Sequence, residues 1–173
     1  GLFFPDTYFF KKGDKATSIL ERAYKIHTDT VNDIWESRAD NIGIKSSYEA
    51  VILASIIEKE GVEKRRISGV FNRRLIKGMK LQSDPTVIYA LGDQFDGNIR
   101  RSDLRIKNPY NTYVYKGLPP SPIGLVSKSS IEASTNPEPG SSLYFVSKGD
   151  GTHKFSDTLQ EHNEAVKRYQ LKE

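Results

Sequence analysis

The sequence predicts a mostly helical α+β domain, on three observations: apolar residues recur at helical spacing through the first half, one helix is apolar almost all round, and hairpin signals cluster late in the chain. With 173 residues, 36% of them hydrophobic, and eight Phe, nine Tyr and one Trp, the chain has enough apolar material for its own core.

Taken in order, the opening Gly1 to Phe10 is aromatic and β-prone but broken by Pro5. A short extended segment is expected there, its aromatics joining the core. Asp14 is placed to cap a helix near 15–39, with Ile19, Leu20, Ala23, Ile26, Val31 and Ile34 in helical register toward Trp35 and Ala39. Ser46 and Glu49 read as a capping box opening a helix at Ser47 that runs to Glu60 and stops at Gly61. Because apolar residues nearly encircle it, this helix is expected to be central and buried. The next, near 63–77, carries Ile67, Val70, Phe71 and Leu75 on one stripe and basic residues elsewhere, the pattern of a surface helix. Asp84-Pro85 offers a cap and first-turn proline for a short helix closed by Gly92. Gly92 to Ile123 is rich in turn signals and reads as a long ordered loop of functional kind. Ser129 with Glu132 marks a short helix, and Leu143 to Val146 with His153 to Phe155 flank Gly149-Asp150-Gly151 as a hairpin. A last helix starts at Asp157 with Gln160. Small β elements are thus expected near both ends.

The net charge of +4 arises from 26 basic residues interspersed with 22 acidic ones, which excludes the single-sign field of a dedicated nucleic-acid binder. The absence of cysteine excludes disulfides and thiolate chemistry. No apolar run reaches the roughly 18 residues of a membrane span. His27, His153 and His162 lie far apart, outside any zinc-binding spacing, and no glycine-rich phosphate loop occurs, so neither metal nor cofactor is expected.

Carboxylates on an apolar helix are the strongest chemical signal, because burial costs a charged group several kcal/mol unless it is paired or protonated. Glu58 and Glu60 both qualify. They point about 200° apart, so one cleft can use only one of them. Periodicity does not choose: Glu58 follows Val51 and Ala54 on its face, Glu60 follows Leu53 and Ile56, and either can simply pair with a cation of the 64–74 segment.

Several longer strings carry a resemblance. Leu53-Ala54-Ser55-Ile56-Ile57-Glu58-Lys59-Glu60, Val70-Phe71-Asn72-Arg73-Arg74-Leu75, Met79 to Tyr89, Tyr110-Asn111-Thr112-Tyr113 and Gly117-Leu118-Pro119-Pro120 resemble, in order and spacing, the endolytic murein transglycosylase family (MltG, YceG-like). Phe4 to Tyr8, Glu36 to Ala39, Leu143 to Val146 and His153 to Phe155 extend the likeness over nearly the whole chain. The resemblance implies a bacterial enzyme of the inner membrane whose catalytic part faces the periplasm, with an amino-terminal anchor and a LysM-like subdomain. Since the chain opens on Gly1 rather than Met, an excised or processed form is expected, with those parts upstream. Residues 1–45 are then a connecting strand and long helix at a subdomain junction, and residues 46–173 the catalytic domain.

The resemblance also implies Glu58, the first Glu of the Glu-Lys-Glu element, as catalytic acid, with Glu60 structural. Such an enzyme cuts the β-1,4 bond between MurNAc and GlcNAc and leaves 1,6-anhydroMurNAc ends, limiting nascent glycan strands. One carboxyl group suffices because the sugar's own C6 hydroxyl replaces water, whereas an ordinary glycosidase needs two. Gln82, Ser83 and Asn111 are expected to meet hydroxyl and N-acetyl groups, and Tyr89, Tyr110 and Tyr113 to offer ring faces. For Asp84 a helix cap is the simpler reading, and for the tyrosines the core. Glycan strands are the expected partner, with peptidoglycan synthases implied by the resemblance. Two rivals stand beside this: a hydrolytic muramidase pairing Glu58 with Asp84, and a noncatalytic envelope or polyanion-binding module using the basic 64–74 helix. A third possibility is a fold inactive without its upstream part.

Overall fold

A computed structural model describes residues 1–171. Helix α1 spans Ala16–Glu36, α2 Ser47–Glu60, α3 Lys64–Ile76, α4 Asp84–Leu91 and α5 Lys128–Thr135. Strands β1 (Tyr144–Ser147) and β2 (His153–Ser156) pair antiparallel, with Phe145 opposite Phe155, and α6 (Leu159–Val166) follows, its last turn continuing as a π-type turn over Lys167–Leu171.

Helix α2 is the axle of the fold. Its eight residues from Ala50 to Ile57 are all buried, as an all-round apolar helix requires. Leu53, Ile56 and Ile57 meet Ile67, Val70 and Phe71 of α3 and Leu81, while Val51 and Ala54 meet Val31 and Ile34 of α1 and Ile131 of α5. The Ser46 hydroxyl accepts the Glu49 amide at 3.2 Å, and the Glu49 carboxylate reaches one residue beyond the cap to the Lys45 amide at 2.6 Å. The helix ends at Gly61, where glycine is doubly required: its φ is +153°, and a Cβ would lie 2.9 Å from the His153 ring. That imidazole, buried beside Phe145 and Phe155, is held by Glu63 at 3.1 Å, so His153 is a structural residue of the hairpin.

Several expectations are corrected. The opening segment forms no strand, and its aromatics do not reach the core: Phe9 and Phe10 are 85% and 74% exposed. Pro5 and the scarcity of partners explain this: among the described residues the segment's hydrogen bonds to α1 are the Phe4 amide on the Ala23 carbonyl and the Arg22 guanidinium on the Phe9 carbonyl. Asp14 does not cap α1 but accepts the Lys11 amide in a preceding turn. Helix α3 is more buried than a surface helix, because Asn72 and Arg74 are sequestered on it by backbone partners in neighbouring loops. Helix α4 starts after Ser83 rather than Asp84, and α5 after Ser127 rather than Ser129. The box that opens α6 is Thr158 with Glu161.

Candidate active site

The two carboxylates at the end of α2 lie in opposite settings. Glu58 turns toward α5. Its Oε2 accepts the Ser127 hydroxyl at 2.6 Å, the Ser127 amide at 3.1 Å, the Ser130 hydroxyl at 2.5 Å and the Lys64 ammonium at 3.1 Å. Burial alone pushes its pKa up, but the hydrogen bonds from Ser127, Ser130 and Lys64 outweigh it and hold the group down at about 2. Four donors thus converge on one oxygen of a carboxylate whose side chain is 28% exposed, and they favour its charged form.

Glu60 faces the other way, into a cleft of about 390 Å³ between α2, the 81–84 segment, Tyr113, β1 and α6. Among the described residues its one hydrogen bond is from the Ser83 hydroxyl to Oε1, at 2.5 Å. Burial pushes its pKa up; the Ser83 bond opposes, the Asp84 charge adds and the Arg74 charge subtracts, leaving it at about 7. Among the described residues no cation lies within 4.0 Å of it. A carboxyl group that is half-buried, open to a cleft and protonated near neutrality is what general-acid chemistry needs.

The sequence motifs converge to build this wall. The Thr112 hydroxyl accepts the Ser83 amide at 3.0 Å and lies 2.8 Å from the Thr86 hydroxyl, which donates to the Ser83 carbonyl at 2.6 Å. The Gln82 amide bonds the Thr112 carbonyl at 3.2 Å. The 82–86 and 110–113 strings are therefore one structure, which aims the Ser83 hydroxyl at Glu60. Arg74, buried on α3, locks the adjoining walls together: Nε donates to the Leu143 carbonyl at 2.6 Å and Nη1 to the Lys80 and Leu81 carbonyls at 3.0 and 2.8 Å. Gln82 sits at φ +53°, a strained conformation for a residue with a side chain, and such strain collects at functional sites.

The expected ligand-binding residues separate into three groups. Gln82 and Tyr113 line the cleft and Ser83 supports Glu60 from beneath; the Tyr113 hydroxyl donates to Asp84 at 2.5 Å, and burial followed by that carboxylate pushes its pKa up. Tyr89 and Tyr110 lie outside this lining and pack on each other at 4.8 Å, with the Tyr110 hydroxyl 2.5 Å from that of Ser121. Asn111 is wholly buried; its amide nitrogen serves the carbonyls of Asp103, Leu104 and Ile106 and its oxygen takes the Tyr113 amide, so it holds the loop together from within. Asp84 stands at the cleft, not as a cap. Sequence reading overlooked Arg74 and His162, both of which line the cleft. For Arg74 the only signal was its place among several basic residues; for His162, one of three scattered histidines, there was none. Among the described residues no group of three or more His, Asp or Glu is placed to hold a metal ion.

The chain matches the YceG-like family over residues 1–168. It is 38% identical over 172 residues to an endolytic murein transglycosylase of Bacillus subtilis, covering 98% of this chain and 47% of that protein. It is 30% identical over 176 residues to one of Streptococcus pneumoniae D39, covering 96% and 31%. A crystal structure of a yceG-like protein from Listeria monocytogenes superposes with a TM-score of 0.81 at 38% identity, over 95% of this chain and 54% of the other. The chain thus spans less than half the length of these two transglycosylases. Strings spread from the first residues to the late hairpin, the match over 168 residues and the shared fold carry one conclusion: the chain belongs to the YceG-like family.

Proposed function

We propose that this chain is a peptidoglycan lytic transglycosylase domain whose acid and base is Glu60, not Glu58. The observation that carries this is the contrast between the two carboxyl groups. An acid that must donate a proton near neutral pH has to hold one there, as Glu60 does at about 7 and Glu58 at about 2 does not. The names of the relatives supply the substrate class, murein.

In this mechanism the Glu60 carboxyl group, steadied at Oε1 by Ser83, gives its proton to the oxygen between MurNAc and GlcNAc as the bond to MurNAc C1 breaks. The resulting carboxylate takes the proton of the MurNAc C6 hydroxyl while that oxygen closes on C1. The products are a GlcNAc hydroxyl and a 1,6-anhydroMurNAc end, and the carboxyl group is restored. Arg74 limits the cost of the charged intermediate state of Glu60 without sharing its proton. An endolytic cut of this kind would limit nascent strands. The cleavage would take place outside the cytoplasmic membrane; no helix among the described residues is long and apolar enough to cross one. An anchoring segment and association with peptidoglycan synthases, which the resemblance implies, belong to the same proposal.

Asp84, at the same cleft, favours one alternative: hydrolysis with Asp84 activating water, which leaves reducing ends. Mass spectrometry of purified peptidoglycan digested with wild type, Glu60→Gln and Glu58→Gln separates these. Anhydro ends from wild type and folded Glu58→Gln, with none from Glu60→Gln, are expected. Reducing ends, or an active Glu60→Gln, overturn the assignment.

A further inference from the structure

The cleft holds a second group that the mechanism leaves unused. His162, on the first turns of α6, lines the same cavity as Glu60, and its ring stacks on Tyr144 at 5.2 Å with 23° between the planes. Its Nδ1 is buried without a hydrogen-bond partner among the described residues. A buried N–H left unmade is costly, so the proton belongs on Nε2 and Nδ1 keeps its lone pair. A second proton would strand a charged donor in the same spot, near the Arg74 guanidinium, which itself lies against the Tyr144 ring. Burial, and then Arg74, accordingly push the imidazole below its ordinary pKa. The other titratable groups around the cleft are Glu60 on α2, Asp84 on α4, Tyr113 and Tyr144. The helix that carries the ring is tied at its start: the Thr158–Glu161 box opens α6, and Asp157 just before it takes the hydroxyls of Ser141 and Ser142.

We propose that His162 is a substrate-binding residue, whose neutral imidazole donates from Nε2 to an oxygen of the N-acetylated glycan strand lying against Glu60. This rests on the reading of the cleft as the glycan site. It gives the site a contact from α6 in addition to those of the 81–84 segment, so that a strand is held by two elements of the cleft with the bond to be cut at Glu60. An uncharged donor suits a neutral sugar oxygen better than a second cation beside Arg74 would.

The test uses soluble uncrosslinked glycan strands and the inactive Glu60→Gln protein, in which binding is read without cleavage. His162→Phe keeps a ring to stack on Tyr144 but removes the donor; His162→Gln restores one. Loss of one ligand hydrogen bond is expected to raise Kd about tenfold in the Phe variant, with the Gln variant recovering part of it. A merely structural role predicts the reverse order, because Phe preserves the stacking. Independently of any substitution at 162, nitrogen-15 spectra of the histidine rings at neutral pH should show His162 protonated on Nε2 alone, and its signals should move when strands are added. If strands bind but the His162 signals stay still and His162→Phe binds equally well, the assignment of His162 fails and the function of the cleft stands. If wild type cuts nothing and Glu60→Gln holds no strands, the glycan reading fails and His162 falls with it.

Discussion

Replacing Glu60 by Gln should remove one proton equilibrium and leave the fold intact, and the effect on stability has a definite sign. In the folded protein Glu60 titrates at about 7, against an ordinary value of 4.5. Below pH 4.5 both folded and unfolded chains hold the proton and the group contributes nothing. Between pH 4.5 and 7 only the folded chain holds it, so stability falls as pH rises; above 7 the loss is complete. A displacement of this size corresponds to roughly 3 kcal/mol at 1.36 kcal/mol per unit, reduced toward 2 because the carboxyl group keeps some contact with water in the cleft. Gln carries no such penalty. Urea unfolding of wild type and Glu60→Gln across pH 4 to 9 should therefore show the variant gaining about 2–3 kcal/mol relative to wild type, all of it between pH 4.5 and 8. A constant difference across that range would mean that Glu60 titrates normally, and the acid assignment would lose its physical basis.

Glu58→Gln should show the opposite profile: the native carboxylate, held at about 2, stabilises the fold above pH 4.5 and progressively less as pH falls, so the variant should lose about 1–3 kcal/mol at pH 7 and almost nothing at pH 2. In wild type, kcat/KM on glycan strands should fall as pH rises through about 7, where Glu60 loses its proton; in Ser83→Ala, which removes a bond that favours the carboxylate, that fall should move to higher pH. Asn111→Ala strips three carbonyls and one amide of their partner inside the 103–113 loop and should cost about 2–4 kcal/mol by urea unfolding, with activity falling because Thr112 and Ser83 lose their register.

The helices were legible because their signals are local. Ser46, Glu49 and Gly61 lie within the segment they delimit, and the apolar circuit of α2 reports its own burial. Where alternatives of equal local merit competed, neighbours decided: Ser83, Ser127 and Thr158 took the N-cap positions expected at Asp84, Ser129 and Asp157. The exposure of Phe9 and Phe10 was not legible, since aromatic content does not say whether anything is there to receive it. Nor was the difference in setting between Glu58 and Glu60. Both follow apolar residues one and two turns back, and what separates them is 23 residues away for Glu60, at Ser83, and 69 to 72 away for Glu58, at Ser127 and Ser130.

Those distant partners turn two similar carboxylates into different devices. On a single helix they point about 200° apart, so a rigid α2 cannot move one without moving the other. Glu58 binds the start of α5 through three hydrogen bonds and an ammonium, while the Ser55 hydroxyl on the same helix takes the Ile123 amide. These contacts fix the rotation of α2 about its axis, which in turn fixes where Glu60 meets Ser83 across the helix. A carboxylate that anchors in its charged form and one proposed to react in its protonated form can share a helix only if their environments push in opposite directions. Donor density does so here: four donors on one oxygen of Glu58, and a single hydroxyl on Glu60. Weakening the anchor should thus reach the acid through geometry: Ser130→Ala, which leaves the cleft lining untouched, should lower kcat while the Glu60 pH limb stays at about 7. A shifted limb with unchanged kcat would instead show that the two ends of α2 communicate by charge.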